Sequence, residues 1–446
     1  MKLLIRGATV LPMTVNEPIL PETDIYIVNT SIIGIGQAGR TFAEQEADQL
    51  IDGRGKLALP GFINAHTHSP MTIMRGNYDD LGPPAGEGTP PAPTWTNFVT
   101  AEDNYWSSFL AIAEMLHSGT TTFVDMFHDM DMVGKAVEVS GIRAALGWEV
   151  MTFSTYSEKN IVYDESVAAK CFDESAQFAA DWNGRAQGRI TTLVAPHEVS
   201  TCHEPWLSRS ARLAGELKLG ITIHLAESPL DVRVSQERYG QDPVELLRDT
   251  GILNHNVIAA HCTELTESDM DLLADYSCHP IACPQCHLKL AGKTTPIPAL
   301  LKRGVNVALG TDSAVTNNNL DLFEEMRLAA IIQAHLTGNA AALPGATALK
   351  LLTVNGAKAL NRNDLGTLEV GKRADIVLLD TSAPHMHPLN NIYSNIIYSA
   401  AAADVWGVIV DGRVLMQDRR ILTFDEADVI YQVEKRMAHL RALANA

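Results

Sequence analysis

The chain is poor in basic residues. Its 446 residues include 34 lysines and arginines against 53 aspartates and glutamates, which gives a formal net charge of −19 at pH 7. Proteins that bind nucleic acid neutralise phosphates with a basic face, so this balance argues against a nucleic-acid partner. An acidic excess of this kind mainly keeps a protein soluble. We expect a small-molecule ligand instead.

The sequence also lacks long apolar runs and has few cysteines. No stretch approaches the ~18 uninterrupted apolar residues of a membrane-spanning helix. The start, MKLLIRGATVLPMTV, has no apolar run long enough for a signal peptide. Six cysteines in a chain of this length do not resemble the dense disulfide framework of small secreted domains. We therefore expect a cytoplasmic protein that does not enter the membrane.

Both ends of the chain contain short apolar runs separated by turn residues. Examples are KLLIRGATVLP and DIYIVNTSIIGIG near the start, and GTLEVGKRADIVLLD and VWGVIVDGRVLM near the end. Runs of this length, bounded by Gly, Asn and Asp, are typical of β-strands joined by turns. The pattern predicts a small β-sandwich domain built from residues 1–57 and 361–446, the latter ending in a helix.

Residues 58–360 alternate strand-like runs with helix-like segments. The strand-like runs are LALPGFINAH, TTTFVDMF, IRAALGWEV, RITTLVAPHE, GITIHLAE, NVIAAHC, SCHPIAC and VNVALGTD. Strands that alternate with helices indicate βαβ units and a parallel sheet. Eight units over about 300 residues fit an α/β fold of the (β/α)8 TIM-barrel type. The competitor, an open doubly wound sheet, usually has a G-x-G-x-x-G turn after its first strand, and this chain has none there.

Side chains able to bind a metal or carry a proton stand at the ends of five of these strands. The first strand ends in His66 and His68, which strand alternation places on one side. The other candidates are His197 at the end of the fourth strand, His224 and Glu227 at the fifth, His261 at the sixth and Asp312 at the eighth. In a barrel, the carboxyl ends of all strands meet at one mouth, so these side chains can converge.

Imidazoles and a carboxylate suit a divalent metal such as zinc, and also iron or manganese. A metal with one open position lowers the pKa of water toward neutrality. A neighbouring acid must then move protons between water and leaving group, and Glu227 is well placed for that role. Each residue also has a structural alternative, since a lone histidine is commonly a hydrogen-bonded core residue and Asp312 can cap a helix. The predicted site therefore depends on their shared position.

Several of these stretches together resemble a known family. PGFINAHTHSPMTIMRG, HLAES, AHCTEL and LGTDSAVTNNNLDLFEEMRLA are similar to motifs of the amidohydrolase superfamily. The branch that fits best contains the 5'-methylthioadenosine/S-adenosylhomocysteine deaminases and the s-triazine hydrolases. The resemblance runs over nearly the whole chain, including GTLEVGKRADIVLLD. It implies a hydrolase that acts on an aminated N-heterocycle.

The resemblance also implies roles for the predicted site residues. One divalent metal per subunit, usually zinc, is expected on His66, His68, His224 and Asp312. Glu227 is expected to shuttle protons to the leaving amine. His261 would hydrogen-bond the attacking water or the tetrahedral intermediate, and Asp312 would also help to deprotonate the water. The fourth strand ends in LVAPHE without the lysine that bridges two metals in other relatives, so a single metal is expected.

The stretch SCHPIACPQCHLKL, residues 277–290, holds half of the cysteines. CPQCH spells the attachment motif of a c-type haem, and the cysteines also suggest a zinc knuckle. Within a barrel the stretch is the seventh strand and its loop, where Cys278 and Cys283 face opposite sides. We interpret the cysteines as packing residues and loop variation. Related enzymes commonly have Asn-Pro-x-Ser-Asn-x-Lys-Leu in this loop. Cys286 and His287 replace Ser-Asn, which makes His287 a candidate substrate-binding residue.

Two features favour an adenosine-type nucleoside as the substrate. His197 in APHEVSTC matches a histidine that contacts the purine ring in the related nucleoside deaminases. TDSAVTNNN resembles their Thr-Asp-Gly-Ala-x-Ser-Asn-Asn, whereas the triazine chlorohydrolases have Asn or Asp where this chain has Ser313. The resemblance thus implies deamination of 5'-methylthioadenosine, S-adenosylhomocysteine or adenosine to the inosine-type product and ammonia.

Two departures leave other substrates open. The nucleoside deaminases have a glutamate for the ribose hydroxyls just before the tryptophan of the first loop, but here Thr94 precedes Trp95. An arginine after the third strand is replaced by Trp148 or Glu149, while Arg143 remains. We take Trp95, Arg143 and Trp148 as candidate substrate-binding residues. The alternatives are a hydrolase releasing chloride or amine from an s-triazine or other heterocycle, a guanine- or pterin-type deaminase, and a non-catalytic binding barrel.

The segment 77–95, NYDDLGPPAGEGTPPAPTW, is rich in Pro and Gly and follows the first barrel strand. Long loops of this composition on the mouth of a barrel often cover an active site. We therefore predict a lid here, with an inert insertion as the alternative. Because barrels of this kind commonly form symmetric assemblies, we also expect a homo-oligomer.

Overall fold

The structure, a computed structural model, describes residues 1–15, 19–40, 42–77, 79, 93–157 and 160–445. Residues 78 and 80–92, which form most of the predicted lid, lie outside the described residues. Among the described helices, none combines the length and apolar character needed to span a bilayer.

The strands, in chain order, are β1 (Lys2–Val10), β2 (Leu20–Val28), β3 (Ser31–Gln37), β4 (Gln49–Asp52), β5 (Lys56–Pro60), β6 (Phe62–Thr67), β7 (Thr120–Phe127), β8 (Arg143–Val150), β9 (Phe153–Ser157), β10 (Asn160–Tyr163), β11 (Ile190–Pro196), β12 (Gly220–Leu225), β13 (Val257–His261), β14 (His279–Ala282), β15 (Ala308–Leu309), β16 (Ile376–Asp380), β17 (Val405–Val410), β18 (Arg413–Gln417) and β19 (Arg420–Ile421).

The α-helices are α1 (Ala101–His117), α2 (Met130–Ser140), α3 (Glu165–Trp182), α4 (Arg185–Gly188), α5 (Glu204–Leu217), α6 (Pro229–Tyr239), α7 (Pro243–Asp249), α8 (Glu267–Asp275), α9 (Pro284–Lys289), α10 (Ile297–Lys302), α11 (Leu322–Thr337), α12 (Gly345–Leu352), α13 (Val354–Ala359), α14 (Ile392–Ser394) and α15 (Glu426–Ala444). Short 3-10 helices include Ser69–Met74 and Thr94–Phe98.

Local sequence determines where several helices begin. Thr100 caps α1, because its side chain accepts a hydrogen bond from the Asp103 amide and Asp103 Oδ2 accepts one from the Thr100 amide, 2.8 Å away. Thr266 and Asp269 form the same reciprocal pair at the start of α8. Such capping boxes satisfy amide groups that have no partner inside the helix, so the chain begins a helix at that residue.

Eight parallel strands form the barrel, in the order β6, β7, β8, β11, β12, β13, β14 and β15. The first and last strands meet where Thr67 forms a parallel bridge with Asp312 and its Oγ1 donates to the Asp312 carbonyl at 2.9 Å. Gly310 permits this approach, since a Cβ there would lie 2.7 Å from the His66 amide nitrogen. The (β/α)8 barrel predicted from the sequence is confirmed.

The barrel interior is filled by small and medium apolar side chains. They are Ala65, Val124, Ala145, Leu193, Ile258, Ile281 and Ala308, with Ala359 of α13 below them. A much larger apolar cluster lies between the strands and the surrounding helices. This two-layer packing is what a (β/α)8 fold requires, because every strand is covered on both faces.

The two ends of the chain form one nine-stranded sheet, with the path β19, β18, β17, β16, β5, β1, β2, β3 and with β4 paired to β1. Residues at both ends of this path, such as Ile32 on β3 and Val414 on β18, belong to one buried cluster. The sheet therefore folds over its own core, as expected for a sandwich-like domain. β5 extends to Pro60, so the chain passes from this sheet to the barrel between Pro60 and Phe62.

Candidate active site

Four histidine rings converge at the carboxyl ends of the barrel strands. His66 lies near the end of β6, His68 follows that strand directly, His224 lies on β12 and His261 ends β13. The His66 ring centroid is 4.8 Å from that of His68, 4.9 Å from His224 and 5.2 Å from His261. All four residues are buried. Asp312 follows β15 and brings a carboxylate oxygen to 3.4 Å from His68 Nε2.

Backbone carbonyls determine which ring nitrogens of two of these histidines carry the proton. His68 Nδ1 lies 2.6 Å from the Met126 carbonyl, and His224 Nδ1 lies 2.9 Å from the His197 carbonyl. A carbonyl oxygen only accepts hydrogen bonds, so both Nδ1 atoms are protonated in the neutral rings. The two Nε2 atoms then present lone pairs to each other at 3.2 Å.

This arrangement fits a bound cation. Facing lone pairs repel, and neither His66 ring nitrogen, both of them buried, has a hydrogen-bond partner among the described residues. A divalent metal accepts all of these lone pairs together with a carboxylate oxygen. Potential ligand atoms of His66, His68 and His224 lie within 4.8 Å of one another, as do those of His66, His261 and Asp312.

The protonation states also suit a metal. Burial lowers the pKa of His66, and lowers the pKa of His224 and His261 well below the usual value. These rings are therefore neutral, which is the form that binds metal. Burial opposes ionisation of Asp312, but His66, His261 and His68 outweigh it and hold the pKa of that carboxyl well below its usual range.

The Asp312 carboxylate is held by three donors. The Ser313 amide donates to Oδ1 at 2.7 Å, and the Thr316 hydroxyl donates to Oδ2 at 2.7 Å. The Cys286 thiol also donates to Oδ2, at 3.0 Å. Asp312 has a left-handed backbone, with φ at +58°, a strained conformation that occurs preferentially at functional sites. Cys286 thus positions a site carboxylate.

Of the other two cysteines in the 277–290 stretch, Cys283 lies close to Asp312 and Cys278 packs away from the site; burial, with Asp312 nearby, raises the pKa of the Cys283 thiol well above its usual value. Among the described residues, no cysteine belongs to a group that could hold a metal, and all six cysteines are free thiols. Cys278 donates its thiol to the Val257 carbonyl at 3.7 Å, within the barrel wall. The described residues therefore provide neither a zinc knuckle nor paired cysteines in this stretch.

Glu227 lies beside the histidine cluster, after β12. Its Oε2 is 3.6 Å from His261 Nε2, and 31% of its side chain is exposed. Desolvation of the carboxyl group raises the pKa of Glu227 well above its usual value, and the nearby Glu198 and Asp312 add to this effect. A carboxyl of this kind can hold a proton at neutral pH and pass it on.

His197 also joins the cluster, as its position at the fourth strand end predicts. Its ring centroid is 4.6 Å from that of His224, and its Nδ1 lies 2.7 Å from the Thr201 hydroxyl. Burial lowers the pKa of His197 to about 3, so the ring is neutral. The His197 ring therefore lies directly beside the histidine cluster.

Arg143 is not in the site, which corrects the sequence-based prediction. It begins β8, at the opposite end of the barrel from the histidines. Its guanidinium donates to Asp375 at 2.9 and 3.1 Å and to Asp411 at 2.6 Å. The prediction was wrong because the carboxylates that pair with Arg143 come from the distant C-terminal part of the chain.

Trp148 and Trp95 also lie apart from the histidines. The Trp148 ring packs 6.1 Å from the Phe178 ring of α3, on the helix-facing side of β8. Trp95 is buried in an apolar cluster with Ile73 and with Val433 of α15. Neither has a described contact with the histidine cluster, so the prediction that they bind substrate is not supported by these positions.

Glu149 lies at the site although the sequence pattern did not single it out as a site residue. It has the same strand parity as the inward-facing Ala145, whereas Trp148 has the opposite parity. Glu149 Oε1 lies 3.8 Å from His68 Nδ1 and Oε2 lies 3.7 Å from His128 Nε2. Burial, with nearby carboxylates, raises the pKa of Glu149 well above its usual value. Alternation counted from Ala145 would have identified it.

Asp125 is another acidic residue near the site, and it was not among the residues predicted from the sequence. Both of its oxygens accept from the Ser69 amide at 3.2 Å, just after the strand that carries His66. Burial raises the pKa of Asp125 to about 7. A lone aspartate inside the apolar run TTTFVDMF was the available signal, since a buried carboxylate needs a specific partner.

His287 is a neighbour of His261. It is only 4% exposed, and its Nε2 lies 3.0 Å from His261 Nδ1. His287 can therefore act on a ligand through the His261 ring.

Comparison with known proteins identifies relatives along the whole chain. A family model described as the amidohydrolase family matches residues 57–415. The chain is 39% identical to a 5-methylthioadenosine/S-adenosylhomocysteine deaminase of Desulforamulus reducens, over 98% of this chain and 99% of that protein. It is 37% identical to a 5'-deoxyadenosine deaminase of Methanosarcina mazei, over 100% and 99%.

Solved structures agree with this result. An adenosine deaminase from Xanthomonas campestris with bound zinc superposes with a TM-score of 0.86 at 30% identity, covering 99% of this chain and 98% of that one. The atrazine chlorohydrolase of Arthrobacter aurescens also superposes with a TM-score of 0.86, over 98% and 100%. At 22% identity, the second match supports the fold alone.

Proposed function

Because the chain belongs to the amidohydrolase family, we propose that it is a metal-dependent deaminase that converts an adenosine-type nucleoside into the inosine-type product and ammonia. The observation that carries this proposal is the convergence of histidine lone pairs and the Asp312 carboxylate beside a raised-pKa acid, Glu227. The relatives named above act on 5'-methylthioadenosine, S-adenosylhomocysteine, 5'-deoxyadenosine and adenosine. The substrate is therefore expected within this class.

The metal ligands are His66, His68, His224 and Asp312. Zinc is the proposed ion, because the related adenosine deaminase contains it and because imidazole nitrogens with one carboxylate suit it. When bound, a divalent cation acts as a Lewis acid and lowers the pKa of water toward neutrality.

Glu227 is the proposed proton carrier. In the reaction, the oxygen of water adds to the amine-bearing ring carbon, and the carbon–nitrogen bond then breaks. Glu227 takes a proton from the water and delivers one to the departing nitrogen, which leaves as ammonia. The raised pKa of Glu227 supports this role, because the carboxyl must be stable in both its charged and its neutral form.

His261, Asp312, His197 and Glu149 complete the proposed site. His261 is expected to hydrogen-bond the oxygen that adds to the ring, and Asp312 to help remove the proton of the water. His197, next to His224, is expected to contact the heterocycle. The unpartnered Oε2 of Glu149 is available to accept a hydrogen bond from the ligand.

The proposal is tested by measuring ammonia release from 5'-methylthioadenosine, S-adenosylhomocysteine, 5'-deoxyadenosine and adenosine, beside guanine and an aminated triazine. We expect turnover of at least one nucleoside. The Glu227→Gln variant should bind metal but lose about 10²- to 10⁴-fold in kcat. Turnover of only the base or the triazine, or full activity of Glu227→Gln, would contradict the proposal.

We further propose that the enzyme works in the cytoplasm as a homo-oligomer. Six free cysteines, five of them buried, suit a reducing compartment. The expectation of an oligomer rests on the symmetric assemblies that such barrels commonly form, and the adjacent Ile430 and Tyr431 of α15, exposed by 47% and 61%, are candidates for a contact between subunits. Light scattering on the purified protein should give a mass above that of one chain, and a monomer at micromolar concentration would exclude the assembly.

A further inference from the structure

His261 lies between two groups that determine where its proton resides. On one side, its Nδ1 is 3.0 Å from His287 Nε2, with the two rings inclined by 61°. On the other side, its Nε2 is 3.6 Å from Glu227 Oε2. The His261 carbonyl also accepts from the Thr295 hydroxyl at 2.5 Å, so the residue is held at its backbone as well.

His287 is itself held firmly. Its amide donates to the Cys283 carbonyl at 3.1 Å, and its carbonyl accepts from the Gly292 amide at 2.9 Å. Burial lowers the pKa of His287 to about 4, so the ring carries a single proton at neutral pH. Its Nδ1 is buried and has no partner among the described residues.

Only one of the two facing nitrogens can carry the proton of the His261–His287 hydrogen bond. If His261 donated, the neutral His287 ring would bear its own proton on Nδ1, as a buried N–H without an acceptor. If His287 donates from Nε2, its Nδ1 is merely an unused acceptor. Buried donors without partners are rarer in proteins than buried acceptors without partners. The second arrangement is therefore favoured.

We infer that His287 is a positioning residue that keeps the His261 proton on Nε2, so that His261 acts as a hydrogen-bond donor toward the oxygen that adds to the substrate. This inference rests on the proposed deaminase function for its catalytic consequence, but the position of the proton stands on its own. It separates two roles: His261 stabilises the developing oxygen charge, while Glu227 carries the proton to the leaving nitrogen.

Three variants test the inference. His287→Leu removes the donor, whereas His287→Gln retains an N–H donor near the position of the imidazole Nε2. His279→Gln is the matched control, because His279 is another buried histidine of the same stretch but bonds Asn256 and Asn306 at 3.1 and 3.2 Å, away from the histidine cluster. All three proteins are measured in the metal-loaded form, with metal content determined.

For turnover of the best nucleoside, we expect His287→Leu to lose about 10- to 100-fold in kcat with little change in KM and full metal content. His287→Gln should restore most of the wild-type kcat, and His279→Gln should leave kcat unchanged. Wild-type kcat in His287→Leu would overturn the inference. So would a kcat in His287→Gln as low as in His287→Leu, since the donor would then be irrelevant.

A second readout does not depend on activity. In protein labelled with ¹⁵N-histidine, two-bond ¹H–¹⁵N spectra distinguish protonated from bare ring nitrogens, and His261 is assigned by its absence in His261→Asn. Wild-type His261 should show a protonated Nε2 and a bare Nδ1, and His287→Leu should disturb this pattern. A protonated Nδ1 in the wild-type protein would overturn the inference. Failure to deaminate any nucleoside would instead refute the proposed function.

Discussion

The two ends of the barrel differ in whether their buried polar groups have partners within the chain. At the end where β8 begins, the Arg143 guanidinium meets Asp375 and Asp411, and two of its three nitrogens are paired with carboxylate oxygens. At the other end, His68 and His224 turn bare nitrogens toward each other at 3.2 Å. At the first end the buried charge is paired with carboxylates of the same chain, although Arg143 Nη1 has no partner among the described residues; at the other end, lone pairs converge on one point.

The difference separates stability from function. A buried charge that is paired by its own chain joins the small sheet to the barrel, and removing one partner leaves the other uncompensated. Lone pairs that converge without a partner are unfavourable unless a ligand completes them. The first arrangement indicates a structural junction, and the second indicates a binding site for a cation.

The largest expected effect comes from removing the metal. Chelation should abolish turnover and also lower the thermal midpoint, because metal binding stabilises only the folded site with its converging nitrogens. Both losses should be reversed when one equivalent of zinc is added back. If turnover survives dialysis against a strong chelator, with less than a tenth of an equivalent of metal left, the histidine end of the barrel is not a functional cation site.

At the opposite end, Asp375→Asn should reduce the free energy of unfolding by about 3 kcal/mol, because it weakens the pairing of a buried guanidinium. The effect is measured as a shift in the urea midpoint, with kcat per folded molecule unchanged. Asp52→Asn is a matched control, since Asp52 pairs with Arg54 on the exposed surface and should have no measurable effect. A loss of kcat in Asp375→Asn would show that the two ends are coupled.

A smaller effect is expected from the adjacent residues of β8. Glu149→Gln should raise KM by about 5- to 30-fold, because a buried acceptor toward the ligand is weakened. Trp148→Phe should leave KM unchanged and alter only stability, since its ring packs on Phe178. Steady-state kinetics with the preferred nucleoside distinguishes them. The reverse pattern would restore Trp148 as the substrate-binding residue.

The smallest expected effect is on the free energy of unfolding, and it comes from Asp364, which lies at the edge of the Arg143 ion-pair network. The hydrogen bond from Arg362 lowers the pKa of Asp364 to about 2, and Arg373 connects Asp364 to Asp411. A lowered folded-state pKa contributes stability above the unfolded value near 3.8, which is lost as pH falls toward 2. Because the side chain is 38% exposed, Asp364→Asn should cost no more than about 1 kcal/mol at pH 7. The difference from wild type should shrink at pH 3, and a constant difference would contradict this assignment.

Much of the site follows from the sequence because a barrel brings its strand ends together. His66, His68, His224, His261 and Asp312 are predicted from their positions at strand ends, and the structure places them in two adjoining groups that share His66. Strand alternation is a local rule, so it applies wherever the strand boundaries are known. The chain ends were likewise recognised as a second domain by their turn-rich pattern.

The sequence does not show whether Trp148, Glu149 and Arg143 belong to the site, because their contacts are with residues far away in the chain. Trp148 and Glu149 are neighbours in sequence, and a shift of one residue in a strand exchanges the inward and outward faces. Arg143 pairs with carboxylates 232 and 268 residues further along the chain. No short-range pattern contains that information.

The sequence by itself therefore determined the barrel, the second sheet formed from both chain ends, and the presence of histidines and an aspartate at the carboxyl ends of the barrel strands. These features depend on local periodicity and on the rule that parallel strands end together. Only the tertiary structure decided that His68 and His224 carry their proton on Nδ1, which of two adjacent residues of β8 faces inward and where Arg143 finds its partners. Those outcomes depend on single hydrogen bonds between residues far apart in the chain, such as His68 to Met126 and His261 to His287.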